Sequence, residues 1–115
     1  MHEFGLVMEL IALAESELAS AGYAGPIKRL NLTVGKLSGA SPEALQTAFA
    51  LVARQKGWPM AQLAITETPA ICLCHACGHR SEISYLMVAC PVCGELACEV
   101  RGGQDLQLTS IDVEA

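Results

Sequence analysis

Cys74-His75-Ala76-Cys77-Gly78 and Cys90-Pro91-Val92-Cys93-Gly94 decide how the second half of this chain folds. Two cysteines separated by two residues can wrap a tight turn and turn both thiolates toward one ion. A glycine just after the second thiolate supplies the left-handed backbone that closes such a turn. The two knuckles together offer four sulfur ligands, Cys74, Cys77, Cys90 and Cys93, and the segment between them is long enough for a short hairpin. A tetrahedral four-cysteine zinc site is therefore expected. With every position filled by protein it would be structural and leave no open position for catalysis. Such a metal contributes roughly 10–16 kcal/mol of apparent folding free energy to a lobe too small to fold alone. Spacing by itself does not separate zinc from a rubredoxin-type iron centre. Cys72 and Cys98 fall outside the knuckles and read as small packing residues. His75 and His79 read as solvated loop residues, whose neutral imidazoles could exchange with a thiolate at lower pH.

Outward from the knuckles the pattern changes. Upstream, Phe4, Val7, Met8, Leu10, Ile11, Ala14 and Leu18 recur at helical spacing from Glu3 to Ala21, and Gly22 stands where the helix should stop. Leu30, Leu32 and Val34 alternate with Arg29, Asn31 and Thr33, the period of a half-buried strand. Gly35 to Ala40 reads as a loop. Ser41-Pro42-Glu43 then opens a second helix with a cap, a proline at the first position and an acid in the first turn. Its stripe is Leu45, Ala48, Phe49 and Val52, and it ends before Gly57-Trp58-Pro59. Gln62 to Thr68 and Asp105 to Val113 read as further strands. In the last, Leu106 and Leu108 are out of phase with Ile111 and Val113, which predicts a bulge or twist. The expected fold is α+β: two helices packed on a small three-stranded sheet, with an inserted zinc-ribbon lobe. The expected domains are residues 1–68 plus 104–115, and the metal lobe 69–103.

Composition excludes several classes. The chain has 115 residues, 52% of them hydrophobic, so an ordered domain is expected rather than disorder. A net charge of -5, with only seven scattered Lys and Arg, argues against a nucleic-acid backbone as partner. Glu9, Glu15 and Glu17 break the longest apolar stretch, so no membrane helix is expected. Ala19-Ser20-Ala21 resembles a cleavage site, yet His2 and Glu3 stand where a signal peptide needs cationic residues. A cytoplasmic protein is expected, and in that reducing compartment its six cysteines read as metal ligands rather than disulfides.

The start, Met1-His2-Glu3, adds a second kind of metal chemistry. The Met1 amine, the His2 amide nitrogen and the His2 imidazole can close fused chelate rings around one ion. The Glu3 amide or carboxylate would complete a square plane, a geometry that suits Ni(II) or Cu(II). This start, the run Leu30-Asn31-Leu32-Thr33-Val34-Gly35-Lys36-Leu37-Ser38-Gly39 with Pro42-Glu43-Ala44-Leu45 after it, and the paired knuckles resemble the HypA/HybF family of hydrogenase nickel-incorporation proteins. The resemblance spans essentially the whole chain. It implies a nickel metallochaperone that delivers Ni(II), with a partner GTPase of the HypB type, to a hydrogenase large subunit. Carried over, it makes His2 the essential nickel ligand, with Met1, the neighbouring backbone nitrogens and Glu3 assisting, and makes the four knuckle cysteines the zinc ligands. Many relatives carry an acidic residue at the position of Lys36, and some at that of Ser41. A labile nickel site is the consequence here, which suits a carrier that must release its cargo.

No Ser–His–Asp set and no phosphate-cradling glycine loop is present, so no enzymatic activity is expected and nucleotide hydrolysis falls to the partner. The alternative class is a zinc-ribbon adaptor binding protein or nucleic acid. Residues 69–103 would suit it, but two Tyr and two Phe leave little for base stacking. A dithiol redox enzyme is a third class, ill matched to thiolates held on a metal. Neither nucleic acid nor membrane is an expected partner, and the sequence leaves a homodimer open.

Overall fold

The computed structural model describes residues 2–114. Helix α1 (Glu3–Ser20) is followed by strand β1 (Ile27–Gly35), helix α2 (Pro42–Gln55) and strand β2 (Gln62–Thr68). Three short strands then follow, β3 (Ala70–Cys74), β4 (Arg80–Ile83) and β5 (Cys98–Gly102), before the last strand β6 (Leu106–Val113). The strands form two three-stranded sheets, ordered β2-β1-β6 and β4-β3-β5. No helix of the described chain is long and apolar enough to cross a membrane.

The chain divides into two compact units, one of residues 1–32, 40–66 and 107–115, the other of residues 33–39 and 67–106. In the first unit both helices behave as their periodicity predicts. Val7, Ile11 and Ala14 of α1 are buried, as are Leu45, Ala48, Phe49, Val52 and Ala53 of α2. Both helices end alike. Past α1, Gly22 and Tyr23 donate back to Ala19 and Leu18, and past α2, Gly57 and Trp58 donate to Arg54 and Ala53. At the start of α2 the Ser41 hydroxyl accepts the Ala44 N–H at 3.2 Å, the cap its sequence announces. Alternate residues of β1, Leu30 and Leu32, are also buried. On β6 the half-buried positions change phase at Thr109 and Ser110, which are both exposed, in line with the switch from Leu108 to Ile111.

The second unit holds structure that the sequence pattern did not announce. Its sheet is antiparallel, with Ala70 opposite Ile83 on one side of β3 and opposite Gly102 on the other. Its apolar core is small: buried Ala70, Cys72 and Ile83, with Leu37, Met87, Cys98 and Val100 packed partly against them. Tyr85, Leu86, Val88, Val92 and Leu96 stay largely in solvent. Two backbone crossings seal this unit, Gly35 N–H to the Asp105 carbonyl and Leu37 N–H to the Gly103 carbonyl, each 2.6 Å. They require bare backbone on both sides. A side chain on Gly35 would overlap the Gly103 carbonyl, and one on Gly103, whose φ is +75°, would lie 2.6 Å from the Ala70 Cβ. Gly103→Ala should therefore cost about 2 kcal/mol of stability, read as a lowered urea midpoint at unchanged slope.

Candidate metal centre

The two knuckles have matching local structure because the same backbone bonds build both. Gly78 donates to the Cys74 carbonyl at 2.8 Å, and Gly94 to the Cys90 carbonyl at 2.9 Å. Both glycines sit at positive φ, +77° and +81°. Within each turn two amides point at the first sulfur. Cys74 Sγ accepts from Ala76 N at 3.3 Å and Cys77 N at 3.4 Å, and Cys90 Sγ accepts from Val92 N at 3.3 Å and Cys93 N at 3.4 Å. The first cysteine of each knuckle is buried and the second exposed.

All four sulfurs lie within 4.8 Å of one another. Cys74 Sγ is 3.6 Å from Cys93 Sγ, and Cys77 Sγ is 3.8 Å from Cys90 Sγ. A zinc ion with sulfur ligands at ~2.3 Å in a tetrahedron requires sulfurs about 3.8 Å apart, so the residues present fit that ion. Among the described residues this is the one cluster of three or more metal-ligating side chains with that proximity.

The cluster's electrostatics are asymmetric. The Cys77 N–H, aided by that of Ala76, lowers the Cys74 thiol to about 6. The Cys93 and Val92 amides likewise lower Cys90. Cys77 receives the His79 amide, which favours its thiolate, but desolvation and the neighbouring Cys74 sulfur outweigh it and raise its pKa. Cys93 receives the Glu95 amide and is nevertheless pushed up to about 12 by desolvation and the three surrounding sulfurs. Two sulfurs are thus biased toward the thiolate and two toward the thiol, a bias that a cation among them would remove.

Cys72 and Cys98 correct the expectation that all six cysteines stay clear of disulfides. They are joined as a disulfide, their Cα atoms 5.4 Å apart. The cause is strand register: β3 and β5 pair with Cys74 opposite Cys98, so Cys72 lies diagonally across from Cys98 on one face. Sequence spacing could not foresee this, because it depends on two strands hidden within the metal lobe. The His75 ring also has a partner, since its Nε2 lies 2.7 Å from Glu99 Oε1. Arg101 pairs with the same carboxylate. His79 is exposed.

At the other end of the chain, Met1 lies outside the described residues. His2 is the N-cap residue of α1; its side chain makes no capping bond and is exposed. The Glu3 carboxylate accepts the Ser41 N–H at 3.1 Å, which ties the start of α1 to the start of α2. That bond, helped by Glu3's own amide, holds the carboxyl below its usual range. His2, Glu3, Phe4, Ala44, Thr47, Ala48 and Leu51 line one open groove of about 530 Å³. Neither Lys36 nor Ser41 brings a carboxylate here, and Ser41 instead engages Glu3 through its backbone N–H.

Residues 1–113 match the family model described as HypA, hydrogenase/urease nickel incorporation, metallochaperone. The hydrogenase maturation factor HypA of Chlorobium limicola is 32% identical over 99% of this chain and 97% of its own length. HypA 2 of Bradyrhizobium diazoefficiens is 34% identical over 99% of this chain and all of its own. Among solved structures, the nickel metallochaperone HypA of Helicobacter pylori superposes with a TM-score of 0.63 at 25% identity, covering all of this chain and 99% of that one. Matched end to end in sequence and fold, the chain belongs to the HypA family of nickel-incorporation metallochaperones, the family of hydrogenase maturation factors.

Proposed function

We propose that this chain binds Ni(II) at its amino terminus and passes it, with a partner GTPase, to the large subunit of a [NiFe]-hydrogenase. The observation that carries the reading is His2, an exposed imidazole standing at the first turn of α1 with no capping duty. The first amides of a helix have no intrahelical acceptor, so backbone nitrogens beside an imidazole are accessible as ligands. Met1, His2 and Glu3 are the proposed nickel ligands. Since Glu3's carboxylate is already engaged by the Ser41 N–H, its amide nitrogen is the atom assigned to the metal, losing on binding the proton it now donates to that carboxylate, which serves to fix the start of α1. Nickel is cargo here, not a resident group. The relatives' names favour hydrogenase over urease as the enzyme served.

Cys74, Cys77, Cys90 and Cys93 are the proposed ligands of a structural zinc, which would supply the cross-link that the lobe's small core does not. Residues 1–68 with 104–115 form the proposed nickel domain and residues 69–103 the zinc domain. The protein acts in the cytoplasm and is not itself an enzyme. Its chemistry is ligand exchange, in which a square-planar nitrogen set holds nickel until a better donor set is presented.

In a Ni(II) titration of untagged protein, His2→Ala should abolish binding while zinc content and circular dichroism stay at wild-type values; parallel loss of zinc would show that the two sites are not separate. Glu3→Ala should keep the square-planar absorption band and weaken binding about tenfold. A lost band would make the carboxylate a ligand. Zinc binding must displace the protons held on Cys77 and Cys93, so its apparent affinity should rise with pH. Chelator competition between about pH 6 and 8 should show a gain of at least about a hundredfold per unit. A flat profile would contradict the thiolate set.

A further inference from the structure

Cys72 and Cys98 bracket the four knuckle cysteines in sequence, so the bond between them closes a chain segment that contains every one of the cluster's sulfurs. Their surroundings differ from those of the knuckles. Cys72 is fully buried in the lobe's apolar core between Ala70 and Ile83, and Cys98 packs half-buried against it. Neither sulfur belongs to the metal cluster. A lobe whose apolar cluster holds three buried residues gains too little apolar burial to hold its fold without a second constraint. A cross-link across the loop supplies one by restricting the unfolded ensemble, as a bound metal does by a different route.

We propose that Cys72 and Cys98 are a reversible redox clasp that keeps the metal lobe folded when its metal is absent. The inference rests on the four-cysteine cluster and is independent of the nickel reading. The oxidant is a low-molecular-weight disulfide of the glutathione class. The more accessible Cys98 thiolate attacks it, an S–S bond forms to Cys98, and one glutathione leaves with the proton Cys98 has lost. Cys72 then attacks the Cys98 sulfur, the Cys72–Cys98 bond forms, and the second glutathione leaves with the Cys72 proton. The protein loses two electrons and two protons, and the glutathione disulfide becomes two thiols. Excess glutathione runs the same steps backward. Oxidation in this order spares the knuckles, whose sulfurs are occupied when metal is bound.

The test uses the full chain loaded with zinc and equilibrated in glutathione buffers poised reduced or oxidised. Alkylation after denaturation, with peptide mapping, counts free thiols; limited proteolysis after zinc removal by chelator reads the fold of residues 69–103. At the oxidised poise four thiols should alkylate, one Cys72–Cys98 peptide should appear and zinc should be retained; at the reduced poise all six should alkylate. The metal-free oxidised lobe should be cleaved at least about tenfold more slowly than the reduced one. Cys98→Ala and, separately, Cys72→Val should be cleaved at the reduced rate in both buffers, zinc content before stripping confirming that each variant folded. Six alkylatable thiols at the oxidised poise would overturn the proposal. So would knuckle cysteines in the cross-links, or equal cleavage of oxidised and reduced metal-free lobes.

Discussion

Four sulfurs gathered within 4.8 Å cannot all be charged unless a cation sits among them, and the second unit is organised around that constraint. Its turns aim two amides at Cys74 and two at Cys90, which settles half of the charge locally. The other half, on Cys77 and Cys93, remains protonated until something of opposite sign arrives. Close by in sequence, His75 and Arg101 both pair with the Glu99 carboxylate. A dication would resolve the crowding and fix two turns at once. Such a cross-link would suit a lobe that leaves Tyr85, Leu86, Val88, Val92 and Leu96 in solvent.

The two proposed metal chemistries would use opposite strategies. The cysteine cluster would saturate its ion with soft donors, a closed arrangement from which exchange is slow. The amino terminus offers one exposed imidazole and nearby amides, with the Glu3 carboxylate spent on holding α1 to α2. A donor set that is incomplete and solvent-facing favours transfer over storage. The groove beside it is open, with Phe4 and Leu51 partly in water.

Much of this was legible from residues alone, and the failures share a physical cause. The two helices, their caps at Ser41 and Gly22, the strands of the first sheet and the knuckle pairs all depend on local periodicity or turn chemistry, which a sequence displays directly. Strands β3 and β5 do not. In Ala70-Ile71-Cys72-Leu73-Cys74 every residue is apolar, so the alternation that makes Ala70, Cys72 and Cys74 buried has no polar counterpart to reveal it. The Cys72–Cys98 pairing follows from the register of those strands and was hidden with them. The Glu3–Ser41 bond links positions 38 residues apart and leaves no trace in either local pattern. The knuckle sulfurs were legible as one cluster; the hydrogen-bond partners of Glu3 and His75 were not.

The antiparallel pairing of β3 with β5 also bears on how the chain reaches its native state. In the first unit, Asn31 of β1 must find Ser110 of β6 across 79 residues, a separation that slows folding when it has to be closed by diffusion of an open chain. Once Ala70 lies opposite Gly102, the segment between them no longer contributes to that search. The equilibrium benefit is slight, since loop-closure entropy grows only with the logarithm of length, about half a kcal/mol here. The kinetic benefit is larger in kind: a lobe that forms first turns a remote strand pairing into a nearer one. An insertion of this size is then compatible with rapid assembly of the sheet that hosts it, provided the inserted piece folds before its host.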